Sequence, residues 1–96
     1  METIVKGIAF KRIKRDINGN PRYVTHFLNL VNEREREEDR ARRANTFGNS
    51  DLYTVAIKRA NKLGGRKYHN KQYGGGIVFQ SYNLDDLAIR IKESVK

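Results

Sequence analysis

The feature that most limits what this chain can fold into is a change in the period of its apolar residues. In the first third they fall at roughly every second position, the spacing that turns one face of a strand inward. From Leu52 they recur at three and four positions, the spacing of a helix stripe. Two periods in separate segments predict an α+β domain.

Between Thr3 and Lys14, Ile4, Ile8 and Phe10 share one alternation and Val5, Ala9 and Ile13 the other, which predicts one long strand with a bulge near Lys11 or Arg12. The segment Asp16-Ile17-Asn18-Gly19-Asn20-Pro21 follows, and Asn-Gly between two β-rich runs signals a hairpin because both residues tolerate positive φ. A second strand is expected over 22–31. There Tyr23, Phe27 and Val31 interleave with Val24, Leu28 and Leu30, so both faces are apolar and the strand belongs inside the sheet.

Residues 32–49 carry no apolar stripe and are expected to form a charged loop, flexible or partly helical through Glu/Arg pairs. A helix then opens at Ser50 and Asp51, buries Leu52, Val55, Ala56, Ala60 and Leu63, and stops at Gly64-Gly65. Arg66 to Tyr73 and Ile77 to Tyr82, separated by Gly74-Gly75-Gly76, predict a second hairpin. Asn83 caps a last helix with Asp85 and Asp86 in its first turn and a stripe of Leu84, Leu87, Ala88, Ile91 and Val95. The expected order is β-β-α-β-β-α: an antiparallel sheet of three to four strands with two helices on one face, the other face left open. With 96 residues the chain is expected to be a single domain, 1–96.

The formal charge is +9, and its distribution bears on function. Residues 32–43 hold five acidic and five basic side chains and cancel, while residues 1–31 and 44–82 carry the excess, six basic against two acidic and six against one. Two basic blocks around a neutral segment can merge into one surface attractive to polyanions. Cysteine is absent, which excludes disulfides and thiolate metal sites and fits a reducing compartment, so a cytoplasmic location is expected. The N-terminal residues do not read as a signal peptide, and no apolar run approaches the roughly 18 residues of a membrane span.

Two segments combine the residue types that nucleic acid requires. Lys11, Arg12, Lys14 and Arg15, with Arg22 returning beside them, gather cations around the first turn at a spacing suited to successive phosphates, and a two-stranded ribbon of this kind can enter a major groove. The competing explanation is a charged edge strand that guards against aggregation. Arg66, Lys67, Tyr68, Lys71 and Tyr73 lead into the glycine run, bringing together cations for phosphates, rings for bases and a backbone open to close approach. Alternatively, the tyrosines pack on the sheet and the glycines only make a long turn. Lys58, Arg59 and Lys62 project from the first expected helix away from its apolar stripe and can continue the basic surface; the competing consideration is that a helix on the covered side of the sheet points them away from the open face.

No catalytic or metal-binding set emerges. The glycine run lacks the Gly-Lys-Ser/Thr of a phosphate-binding loop, and His26 and His69 have no companions at ligand spacing. Asp85 and Asp86 suit a helix N-terminus, and Ser50, Ser81 and Ser94 have no evident base. A non-enzyme without cofactor or metal is expected.

The runs Arg12-Ile-Lys-Arg-Asp-Ile-Asn-Gly-Asn-Pro-Arg-Tyr-Val-Thr-His-Phe-Leu and Lys62-Leu-Gly-Gly-Arg-Lys-Tyr-His with Tyr-Gly-Gly-Gly-Ile-Val-Phe-Gln-Ser-Tyr-Asn resemble small accessory proteins of phages and mobile elements. The resemblance implies either a nucleic-acid binder or an inhibitor of host machinery, anti-defence proteins among them. It carries over no site residue. Two functions are therefore expected in competition: a non-catalytic nucleic-acid-binding protein, DNA or RNA, or an inhibitor or adaptor that docks on an acidic or ribonucleoprotein host complex.

Overall fold

The computed structural model describes residues 2–45, 52–68 and 76–96. Among them are β1 (Glu2–Val5), β2 (Ile8–Ile13), β3 (Arg22–His26), a 3-10 turn (Phe27–Leu30), α1 (Glu33–Asn45), α2 (Leu52–Lys62), β4 (Arg66–Tyr68), β5 (Gly76–Gln80) and α3 (Leu84–Ser94). The strands form one antiparallel sheet in the order β1-β2-β3-β5-β4. The α+β class holds. The expected three to four strands become five, and the expected two helices become three.

The added strand comes from the segment expected to be a single strand with a bulge. The chain reverses at Lys6 and Gly7, whose φ angles of 52° and 82° are those of a two-residue hairpin turn, and Val5 pairs with Ile8. The reversal changes which side chains share a face. Ile4 pairs with Ala9 and so lies opposite to Ile8 and Phe10, which enter the core together. The hairpin expected at Asn18-Gly19 is present but wider: Ile13 pairs with Arg22, and residues 14–21 form the connection. The strand expected over 22–31 ends at His26, where the backbone tightens into the 3-10 turn and buries Leu30.

The added helix is α1. It has no apolar stripe to announce it, but Asn32 and Glu35 form a reciprocal capping box: the Glu35 N–H donates to Asn32 Oδ1 at 2.8 Å and the Asn32 N–H to Glu35 Oε1 at 3.0 Å. Arg36 donates to the Leu28 carbonyl at 2.8 Å, tying the helix to the 3-10 turn. Polar side chains therefore dock a segment that apolar patterning leaves as a loop.

The core lies between one face of the sheet and the helices. Ile8, Phe10, Ile77 and Phe79 meet Leu30 and Val31, Ala56 and Ala60 of α2, and Leu87, Ala88 and Ile91 of α3. The stripes expected for α2 and α3 are the buried ones, and Asn83 caps α3 by accepting from the Asp86 N–H at 3.1 Å. Ser50 and Asp51, expected to open α2, lie outside the described residues. At the end of α2 the chain turns at Gly64, φ 85°, and Gly65 donates to the Ala60 carbonyl at 2.7 Å, a Schellman-type stop. Gly65 is then pressed against the core: a Cβ there would sit 2.5 Å from Phe79 Cε1.

Candidate nucleic-acid interface on the uncovered sheet face

Paired residues in a sheet share a face, so the strand registers define what the side away from the helices displays. One row across it is Glu2, Lys11, Val24, Val78 and Arg66; a second is Ile13 from its pair with Arg22, then Arg22 and Gln80; a third is His26, Gly76 and Tyr68. Apolar side chains of both faces thus make β3 and β5 interior strands. Val24 is only 3% exposed although it belongs to no helix-facing cluster. Val24 and Val78 make the centre of this face apolar, with Lys11, Arg22 and Arg66 around it and Glu2 at the β1 edge.

Arg22, Gly64, Arg66, Val78 and Gln80 line a cleft of about 190 Å³. Arg22 comes from the strand after the first hairpin and Arg66 from the strand after α2, so the two basic blocks of the sequence meet here. Arg22 Nε donates to the Lys14 carbonyl at 2.9 Å, which ties the guanidinium to the connection and leaves the donors of its two terminal nitrogens for other partners. The Arg66 side chain is exposed at the β4 end of its row. Toward the opposite end of the face a second hollow, about 150 Å³, is lined by residues that include Glu2, Lys11, His26 and Asn29. There Glu2 faces Lys11 and offsets its charge.

The connection 14–21 closes the Arg22 end of the face and is tightly organised. Asp16 Oδ1 accepts from the N–H groups of Asn18 at 2.9 Å and Asn20 at 2.8 Å. Its Oδ2 accepts from Asn20 Nδ2 at 3.2 Å and from Gln80 Nε2. These donors, the Asn20 N–H foremost, hold the Asp16 carboxyl below the usual carboxylate range. Arg15 donates to the Gly19 carbonyl at 2.8 Å, and Gly19 adopts φ 81°. Tyr82 donates its hydroxyl to Asn20 Oδ1.

The other sequence-derived candidates separate by face. Lys11, Arg22, Arg66 and Tyr68 belong to the uncovered face, Tyr68 half-buried there. Lys14 and Arg15 lie in the connection at its edge. Arg12 pairs with Tyr23 and Lys67 with Ile77, which assigns both to the helix side of the sheet. Lys67 Nζ sits 5.3 Å from the centroid of the Tyr53 ring, a cation–π contact within the fold, and burial pushes the Tyr53 hydroxyl up. Lys58 and Lys62 are exposed on α2, in the layer behind the sheet. Lys71 and Tyr73, like His69, lie outside the described residues.

Arg59 does not project into solvent as expected. Its guanidinium donates to the Leu30 carbonyl at 3.0 Å and grips Glu35 through both nitrogens, one bond at 2.8 Å. The Arg59 bonds hold the Glu35 carboxyl below its ordinary range. This cation locks α1 to α2 and to the 3-10 turn, a role hidden in sequence because Glu35 precedes it by twenty-four positions.

The free-ribbon and edge-strand explanations of the first basic segment also change. β2 is flanked by β1, and β3 by β5, so neither strand is an edge and the pair is no free ribbon; only the connection projects. His26 Nδ1 accepts from the Leu28 N–H at 3.2 Å as the cap of the 3-10 turn, and burial and then the Arg36 charge lower its pKa. Among the described residues no group of three or more His, Cys, Asp or Glu could hold a metal, and no helix is long and apolar enough to cross a membrane.

The arrangement offers a shallow, sheet-floored surface with two guanidiniums at one cleft. Searches of curated proteins and of solved structures find no match to the chain. A protein-family model does match, over residues 2–96, and its extent is nearly that of the sequence. The chain belongs to the family of the Staphylococcus phage terminal repeat-encoded protein TreK.

Proposed function

We propose that this protein is a non-catalytic nucleic-acid-binding protein of the cytoplasm that holds phosphates along the uncovered face of its sheet. The observation that carries the reading is the cleft in which Arg22 and Arg66, forty-four positions apart, face one ligand-sized space across Val78 and Gln80. Guanidinium groups bind phosphate oxygens in a forked, bidentate way, and two of them on either side of Val78 and Gln80 suit a backbone rather than a single small anion. Lys14 and Arg15 extend the positive rim beyond Arg22, and Tyr68 adds a ring on the same face. Lys58, Lys62, Arg12 and Lys67 contribute to the long-range field that draws a polyanion in, not to the cleft.

The test is fluorescence anisotropy with labelled single-stranded DNA, duplex DNA and RNA at two salt concentrations. Binding at low salt that weakens log-linearly as salt rises is the expected result. Failure of all three to bind at low salt would reject the reading.

A second reading draws on the phage family: an inhibitor or adaptor that docks on an acidic or ribonucleoprotein host complex. It predicts weak binding to free nucleic acid and retention of one host partner after nuclease treatment, a retention that Arg22→Glu abolishes.

A further inference from the structure

Ile17 and Tyr82 hold large apolar surface in solvent at the end of the sheet. Ile17 is 99% exposed and Tyr82 is 81% exposed. Ile17 lies in the 14–21 connection and Tyr82 between β5 and α3, yet the two segments are stitched together: Gln80 donates to Asp16, and Tyr82 donates to Asn20. The Ser81 N–H adds a bond to the Pro21 carbonyl at 3.3 Å. Both residues therefore belong to one tied corner, which adjoins in sequence Gln80 and Arg22 of the cationic cleft.

We propose that Tyr82 and Ile17 form a base-stacking platform for single-stranded nucleic acid, continuous with the phosphate-binding cleft of Arg22 and Arg66. The inference rests on the nucleic-acid reading above and adds to it a strand type and a stacking site. The Tyr82 hydroxyl is anchored on Asn20, so the ring is held in place while remaining open to solvent. A fixed aromatic surface has lost its freedom before binding, which lowers the entropic cost of taking a base. Ile17 is presented by a loop whose backbone is held by the Asp16 carboxylate and by the Gly19 turn, so it too is presented rigidly. Apolar surface of this kind matches the exposed faces of unpaired bases, whereas a duplex hides those faces in its stack. The neighbouring guanidiniums supply the charge that the strand's phosphates require.

The experiment uses the full chain with fluorescein-labelled thymidine and uridine 12-mers and a DNA hairpin duplex. Tyr82→Ala is expected to weaken single-strand binding about 5- to 150-fold, the range for one stacked base, while duplex affinity stays within about 2-fold. Tyr82→Phe, which keeps the ring but gives up the hydroxyl anchor on Asn20, loses less affinity than Tyr82→Ala, and so does Ile17→Ala. The chain contains no tryptophan, so Tyr82→Trp introduces a single reporter whose emission the 12-mers quench and the duplex does not. Both positions are exposed, and unchanged thermal midpoints confirm that the variants fold. The thymidine and uridine arms show whether the strand is DNA, RNA or either.

Single-strand affinity unaltered by Tyr82→Ala and Ile17→Ala, but lost in Arg22→Ala/Arg66→Ala, would overturn the platform and leave the cleft standing. Equal losses on duplex and single strand would overturn it as well, pointing to a wedge between base pairs. If the unaltered protein binds no nucleic acid, the reading beneath it fails, and the exposed pair is left as an anchor for a protein surface.

Discussion

Gly65 shows how much a single position can be set by a neighbour far along the chain. In sequence Gly64-Gly65 reads as a helix stop, and Gly64 at φ 85° serves as one. Gly65 has a different reason to be glycine, because the Phe79 ring lies where a Cβ would go and that ring is 2% exposed in the core. Gly65→Ala is expected to destabilise by about 1–3 kcal/mol, the usual cost of overpacking, read as a lower urea midpoint with an unchanged slope. Arg59 carries a similar lesson. Its position on α2 was legible, but its partner Glu35 was not, since an ion pair between distant segments leaves no periodic trace. The folded state holds the Glu35 pKa below its unfolded value, so the pair's stabilisation is present above the ordinary glutamate range and is lost as pH falls through the lowered folded value. Glu35→Gln keeps an acceptor for the Asn32 N–H but removes the charge. It is expected to lower the thermal midpoint at pH 7 by about 4–8 °C, corresponding to about 1 kcal/mol, and to flatten the loss of stability below about pH 4.3.

Among the elements, those with an apolar stripe were legible and those built from polar contacts or a tight turn were not. The stripes of α2 and α3 follow directly from residue spacing, whereas the two-faced pattern expected over 22–31 rests mostly on Phe27, Leu28, Leu30 and Val31, which lie beyond the end of β3. β1 reads as one strand with β2 because a reversal of alternation resembles a bulge, and Lys6 is an uncommon first residue for a turn that needs positive φ. α1 reads only as a flexible or partly helical loop because its anchors are Asn32, Glu35 and Arg36 rather than leucines. The Asn32-x-x-Glu35 spacing was the signal available, a capping-box pattern with Asn in place of Ser or Thr. Asn32→Ala removes that cap and is expected to cost about 1 kcal/mol. Hydrogen exchange checks where the cost falls: amides of the first turn of α1 exchange faster, while those of β3 and β5 shift only with global stability.

For the molecule as a whole, the sheet sorts the charges. Sequence could count the basic residues but could not say which face each would take, because face depends on register and register on turns such as Lys6-Gly7. Once the registers are known, Arg22 and Arg66 converge on the uncovered face, Arg12 and Lys67 fall on the helix side, and Arg59 is consumed by the fold. The nucleic-acid reading therefore requires that the cations of the cleft, and not the positive charge in general, make the phosphate contacts. The salt dependence of single-strand affinity measures this most directly, compared among the unaltered protein, Arg22→Ala/Arg66→Ala in the cleft, and Lys58→Ala/Lys92→Ala, which removes the same charge from the exposed helix layer. The cleft pair is expected to reduce the slope of log affinity against log salt by about 1.4, two phosphate contacts at about 0.7 each, with the helix pair leaving the slope as it was. Equal reductions from both pairs would contradict a defined interface on the open face and reduce the protein's attraction for nucleic acid to its net charge.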